Sequence, residues 1–96
     1  MELKETISIM QSDNYKDRFK AEYWQTKIRY EKLKDFCNKI EARDVLRFNA
    51  HPDYQPSMLE PIKHDCPFEL LRTQQRQMGE YLHTLELRAE IERIEL

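Results

Sequence analysis

The chain has 96 residues, 35 % of them charged, a single Gly and a net charge of -2. A chain of this size makes one domain, residues 1–96, and buries only about 60 % of its unfolded surface. The near-neutral balance gives bulk electrostatics no pull toward a nucleic-acid polymer or an anionic membrane.

Residues 1–12 read as a leader, with Leu3, Ile7 and Met10 at loosely helical spacing. Ser12 or Asp13 offers an N-cap, since either side chain can accept from the orphan amides of a first helical turn. From Asn14 to Arg43 there is no Pro or Gly. Phe19, Tyr23, Thr26, Tyr30, Leu33, Cys37 and Ile40 step by four and three alternately, the seam of a helix packed lengthwise on a neighbour. The spacing predicts a helix over 14–43, about 45 Å long at 1.5 Å per residue.

Residues 44–65 break that pattern. Pro52, Pro56 and Pro61 lack the amide proton and clash with a preceding helical turn. Val45, Leu46, Phe48, Tyr54, Met58, Leu59 and Ile62 are too many apolar groups for a solvated tether. An ordered connector laid across the helices is expected, with one short turn at 57–60.

A second helix is predicted over 67–90, with Pro67 at its first position, Cys66 as cap and Glu69 reaching back to the cap amide. Its seam is Phe68, Leu71, Gln75, Met78, Leu82, Leu85 and Ala89. Residues 91–96 leave that seam and are expected to form a short tail docked elsewhere. Charge divides between the two helices. Asn14 to Arg43 holds nine Lys/Arg against five acids, and Glu80 to Leu96 holds five Glu against two Arg. Antiparallel pairing sets a basic helix beside an acidic end. Thr26 and Gln75, polar in otherwise apolar seams, are expected to bond to each other or across an interface.

At ~100° per residue, Ala21, Trp24 and Ile28 lie opposite the first seam, and Leu87 and Ile91 lie opposite the second. A two-helix hairpin covers one face per helix. The outer patches therefore predict self-association, unless the leader and connector cover them. The fold class is all-α: a long antiparallel helical hairpin with an ordered proline-containing connector, assembling into a multi-helix homo-oligomer.

Candidate chemistry is sparse. His51, His64, Cys66 and Cys37 lack paired metal-ligand spacing, so no zinc site or other metal or cofactor is expected. Asp53 and Asp65 near those histidines have no positioned nucleophile beside them, so no enzyme is expected. Basic residues interleaved with acids argue against DNA binding. Lys16, Lys20, Lys27 and Lys34 form a stripe beside the aromatic seam. Arg72 and Arg76 form another near the start of the second helix, where backbone amides carry partial positive charge. The connector adds Arg47, Phe48, His51, Tyr54, Lys63 and His64. Cations beside aromatics suit a phosphate-bearing ligand, and the candidate set is Lys20, Arg47, Phe48, His51, Tyr54, Lys63, Arg72 and Arg76. The competing account is a solvated face of i,i+4 ion pairs.

The segments SDNYKDRFKAEYWQTKIRYEKLKDF and CPFELLRTQQRQMGEYLHTLELRAEIERIEL resemble a family of small tailed-phage proteins related to a crAss-like-phage protein. That resemblance covers about two thirds of the chain; the leader and the long connector depart from it. It implies a basic first helix, a variable connector and a Cys-Pro-opened second helix, encoded by a short accessory gene that counters bacterial immunity. By analogy, small helical phage proteins oligomerise and trap cyclic-nucleotide or cyclic ADP-ribose signals. The alternative is a module that blocks a host defence protein through the Trp24–Ile28 face. No apolar run approaches the ~18 residues of a membrane span, no signal peptide opens the chain, and two unlike cysteines suit a reducing compartment. The host bacterial cytoplasm is the expected location.

Overall fold

The structure, a computed structural model, describes residues 1–49 and 60–96. Three helices carry them: α1 (Glu5–Met10), α2 (Tyr15–Phe48) and α3 (Phe68–Glu92). α2 and α3 run antiparallel, since Tyr15 meets Glu92 at one end while Arg72 meets Asn38 and Glu41 toward the other. The molecule is a rod of 58 × 24 × 23 Å.

The seams are as the spacing predicts. Phe19, Tyr23, Cys37 and Ile40 are buried on α2, and Leu82, Leu85 and Ala89 on α3. The main core gathers Phe19, Tyr23, Leu82, Leu85, Ala89 and Ile94, with Trp24 and Tyr30 packed against it. Arg93 ends α3 in the left-handed conformation (φ 58°, ψ 49°), and the Ile94 amide donates back to the Ala89 carbonyl at 2.9 Å. This reversal folds Ile94 into the core, so the expected docked tail starts at Arg93 rather than at residue 91.

Three boundaries differ from expectation. Asn14, with extended backbone, caps α2 and accepts from the Lys16 amide at 2.8 Å. Ser12 instead accepts from the Asn14 amide and donates to Asp17 at 2.8 Å, which braces the cap from outside. α2 runs on to Phe48, because nothing before the first proline stops it; Arg47 and Phe48 are its last turn, not part of the connector. At α3, Pro67 is itself the cap and no side chain closes the turn, so neither Cys66 nor a Glu69 capping box acts there. The Pro67 carbonyl accepts from the Leu70 and Leu71 amides at 3.1 and 3.2 Å.

The leader is not a simple tail. α1 packs along α2, Thr6 is buried, and Gln25 Nε2 reaches Met10 Sδ at 3.9 Å. Met1, Leu3 and Lys4 line a groove with Ile28 and Lys32. Ala21, Gln25, Ile28 and Lys32 share one helical face, and residues 1–10 lie along part of it, leaving Trp24 and Ile28 half-buried. Ala21 is fully buried, and Trp24 sets its ring edge-on to Tyr23 (5.4 Å, 86°) beside the core. Leu87 and Ile91 stay open, 53 % and 80 % exposed. Among the described residues no helix is long and apolar enough to cross a membrane.

Candidate functional site

The two long helices are fastened by tyrosines that each donate to a glutamate across the hairpin. Tyr15 Oη donates to Glu92 Oε1 (3.0 Å) and accepts from Arg88; Tyr23 Oη donates to Glu86 Oε2 (3.0 Å); Tyr81 donates to Glu22. Burial, reinforced by Glu86, pushes the Tyr23 hydroxyl up to about 12. Hydrogen bonds to Glu92 and Glu22 raise Tyr15 and Tyr81. The Tyr15 hydroxyl, followed by Arg88, holds Glu92 below the usual carboxylate range. The basic-beside-acidic expectation is thus realised largely through phenols rather than through lysines.

Midway along the rod this pattern opens into a groove of about 800 Å³, lined by Tyr30 of α2 and by Arg72, Gln75, Arg76, Gly79, Glu80, His83 and Thr84 of α3. Its floor exists because residue 79 is glycine. A Cβ there would lie 3.3 Å from Tyr30 Cε2 and 3.4 Å from its hydroxyl, so only a bare backbone lets the ring seat this closely without yielding. Tyr30 makes no hydrogen bond with any described residue.

The two arginines expected to act together have different duties. Arg72 points its fork into the protein: Nη1 donates to Gln75, and Nη2 donates to Asn38 Oδ1 (3.0 Å) and Glu41 Oε2 (2.5 Å). Its guanidinium also lies 5.4 Å from the Phe68 ring centre. Gln75 therefore pairs with Arg72 and not with Thr26. Arg76 is held only by a loose i,i+4 contact to Glu80 (3.8 Å), both side chains about two-thirds exposed. Such a pair contributes little and yields easily to a better anion. His83 stands two turns further along the same wall. Lys34, one turn beyond Tyr30 on α2, has no ion pair among the described residues.

The other candidates do not converge on this groove. Lys20 lies ten residues before Tyr30, roughly 15 Å along the helix axis. Arg47 sits at the far end of α2, 4.0 Å from Asp44, and Phe48 beside it is 91 % exposed. Lys63 is exposed in the segment leading to α3, where His64 packs edge-on to Phe36 (6.5 Å, 88°). His51 and Tyr54, with Pro52, Pro56 and most of the expected 57–60 turn, lie outside the described residues. Sequence reasoning missed Tyr30, Gly79 and His83 as groove residues. The one signal for them was the lone mid-helix glycine, which costs about 1 kcal/mol relative to Ala and asks for a packing reason. Among the described residues no group of three or more His, Cys, Asp or Glu could hold a metal ion.

Fold and groove together define a small helical hairpin protein whose inter-helix groove is lined by two arginines, a glutamate and a histidine and floored by one tyrosine. The chain belongs to the Sequestin family, whose model matches residues 13–91. The matched span takes in almost all of both long helices and begins after α1. The family's name suggests sequestration, in keeping with the trapping role inferred from the sequence. Comparison with curated proteins and with solved structures gave no match.

Proposed function

We propose that this protein binds and holds a small anionic nucleotide signal, without transforming it, as a phage anti-defence protein acting in the host bacterial cytoplasm. The observation that carries this reading is the groove: Arg76 and His83 line one wall, Tyr30 forms the floor, and Arg76 has no strong internal partner. A flexible cation beside an aromatic ring fits a ligand that joins phosphate to a planar base. The Sequestin match supports the sequestering half of the reading, and the resemblance to small tailed-phage proteins supports its setting. The ligand class is a cyclic oligonucleotide or a cyclic ADP-ribose isomer.

Self-association is part of the proposal. Leu87 and Ile91 leave an apolar stripe on the outer side of α3, continuous with the groove wall at His83 and suited to a second copy. The alternative reading, a module that blocks a defence protein through Trp24 and Ile28, has a smaller surface to use, because residues 1–4 flank Ile28 and Trp24 packs on the core. Native mass spectrometry of freshly purified protein tests the proposal, with calorimetry against cyclic dinucleotides, cyclic trinucleotides and cyclic ADP-ribose isomers. A co-purifying nucleotide mass, or saturable heat with one member of the panel, is the expected result. No bound mass and no heat at millimolar ligand would reject sequestration.

A further inference from the structure

One tyrosine clasp has an in-register counterpart one heptad along the hairpin, and that counterpart is missing its acid. Tyr23 meets Glu86. Seven residues on along α2 is Tyr30, and seven residues back along α3 is Gly79, and these two also meet. An antiparallel pair that advances one heptad keeps the same facing positions, so Gly79 occupies the place that Glu86 fills in the clasp before it. Tyr15, Tyr23 and Tyr81 each donate to a glutamate; Tyr30, the remaining tyrosine among the described residues, donates to none of them. The one carboxylate lining this groove, Glu80, is turned toward Arg76.

We infer that Gly79 is a specificity device: by withholding the carboxylate of a Tyr–Glu clasp, it leaves the Tyr30 hydroxyl and the neighbouring Arg76 to a ligand's anionic oxygen. The inference rests on the reading of the groove as an anion site, and assigns that anion its donor. The phenol supplies a directional hydrogen bond and Arg76 supplies charge, while the ring itself takes the space a side chain at 79 would fill. Arg72, bonded to Gln75, Asn38 and Glu41, fixes the end of the groove and is a positioning residue rather than a ligand contact. A protein of the same fold with Glu at 79 would close its own groove.

Gly79→Glu is therefore the decisive variant. It offers the Tyr30 hydroxyl an internal acceptor and raises helix propensity, but its Cβ would lie 3.3 Å from Tyr30 Cε2 and shift the ring, so anion binding should be lost while the helix content by circular dichroism is kept. Tyr30→Phe keeps the ring and removes the donor, which should weaken binding about tenfold. The readout is NMR of protein carrying 13C-labelled tyrosine rings, titrated with inorganic pyrophosphate and with adenosine monophosphate; Tyr30 is assigned through the Phe variant. Expected are saturable shifts of Tyr30 in the wild type and none of its binding curve in Gly79→Glu. Tyr30 signals unmoved by either probe at millimolar concentration would overturn the inference, as would a Gly79→Glu protein that binds like the wild type. The two levels fail separately. Cyclic nucleotides that bind by calorimetry while Tyr30 stays silent sink the Gly79 assignment and spare sequestration. Pyrophosphate that moves Tyr30 while no cyclic nucleotide binds sinks sequestration and spares the anion site.

Discussion

Arg72 and Arg76 are one turn apart on α3, and their geometry predicts opposite phenotypes on substitution. Arg72→Ala removes donors to Gln75, Asn38 and Glu41 and the contact with Phe68. Each neutral partner is worth about 0.5–1.5 kcal/mol, and the ring contact about 0.5–1 kcal/mol at a partly open site. The Glu41 side chain is 59 % exposed, so its pair is screened toward the surface value of about 0.2–1 kcal/mol. These terms share one guanidinium and do not add fully, which puts the loss at about 2 kcal/mol. For a chain this small, 1 kcal/mol moves the melting midpoint by about 4–8 °C, so a drop of roughly 8–16 °C is expected. Arg76→Ala, which gives up only a loose pair to Glu80, should stay within about 0.5 kcal/mol of the wild type. The assay is thermal and urea unfolding followed by circular dichroism at one fixed protein concentration, since self-association would make the midpoint concentration-dependent. Anion binding should divide the other way, with Arg76→Ala abolishing most of it. Equal stability losses in the two variants would refute the assignment of Arg72 to the hairpin and Arg76 to the ligand.

Other perturbations follow from the same packing. Leu85, 1 % exposed at the centre of the core, should cost about 2–5 kcal/mol on change to Ala, measured by urea unfolding. Tyr23, pushed up to about 12 by burial and Glu86, holds its proton more tightly folded than unfolded. Its contribution is complete below pH ~10 and is lost as pH rises through the folded value; Tyr23→Phe should flatten that alkaline limb of the stability profile. Trp24→Glu places a charge against the core, so it should lower the unfolding midpoint instead of merely changing particle size in sedimentation. Leu87→Glu with Ile91→Glu touches only exposed positions, and should leave helicity intact while reducing the sedimenting species; an unchanged size would remove that stripe from any interface.

Periodicity carried the hairpin because a long, uninterrupted seam has few ways to be buried. Phe19 through Ile40 and Leu82 through Ala89 point inward as their spacing requires. Boundaries were less legible. The continuation of α2 to Phe48 turns on the absence of a stop signal, and the cap at α3 on a backbone carbonyl, neither of which a side-chain pattern records. The packing of residues 1–10 along α2 was the least legible feature of the fold. A helix of six residues gives little reason to choose between a free leader and a packed one; here it packs along α2 with Thr6 buried.

The site was legible as composition and not as arrangement. Counting cations near a helix start picked out Arg72 and Arg76 together, but a guanidinium that faces three internal acceptors is spent on the fold. The difference lies in Asn38 and Glu41, more than thirty residues away in sequence. Tyr30 read as one more seam aromatic, which it also is, since its ring packs against the core. What sets it apart is a relation between two helices: the heptad step that carries Tyr23 and Glu86 to Tyr30 and Gly79. Neither residue is unusual alone. A glycine in the middle of a 25-residue helix lowers that helix's stability. Here Tyr30 seats against the bare backbone beside a loosely held arginine, its hydroxyl without a hydrogen bond among the described residues. Stability given up at Gly79, with the Tyr30 hydroxyl beside it unbonded among the described residues, is what the proposed anion site asks of this pair of helices.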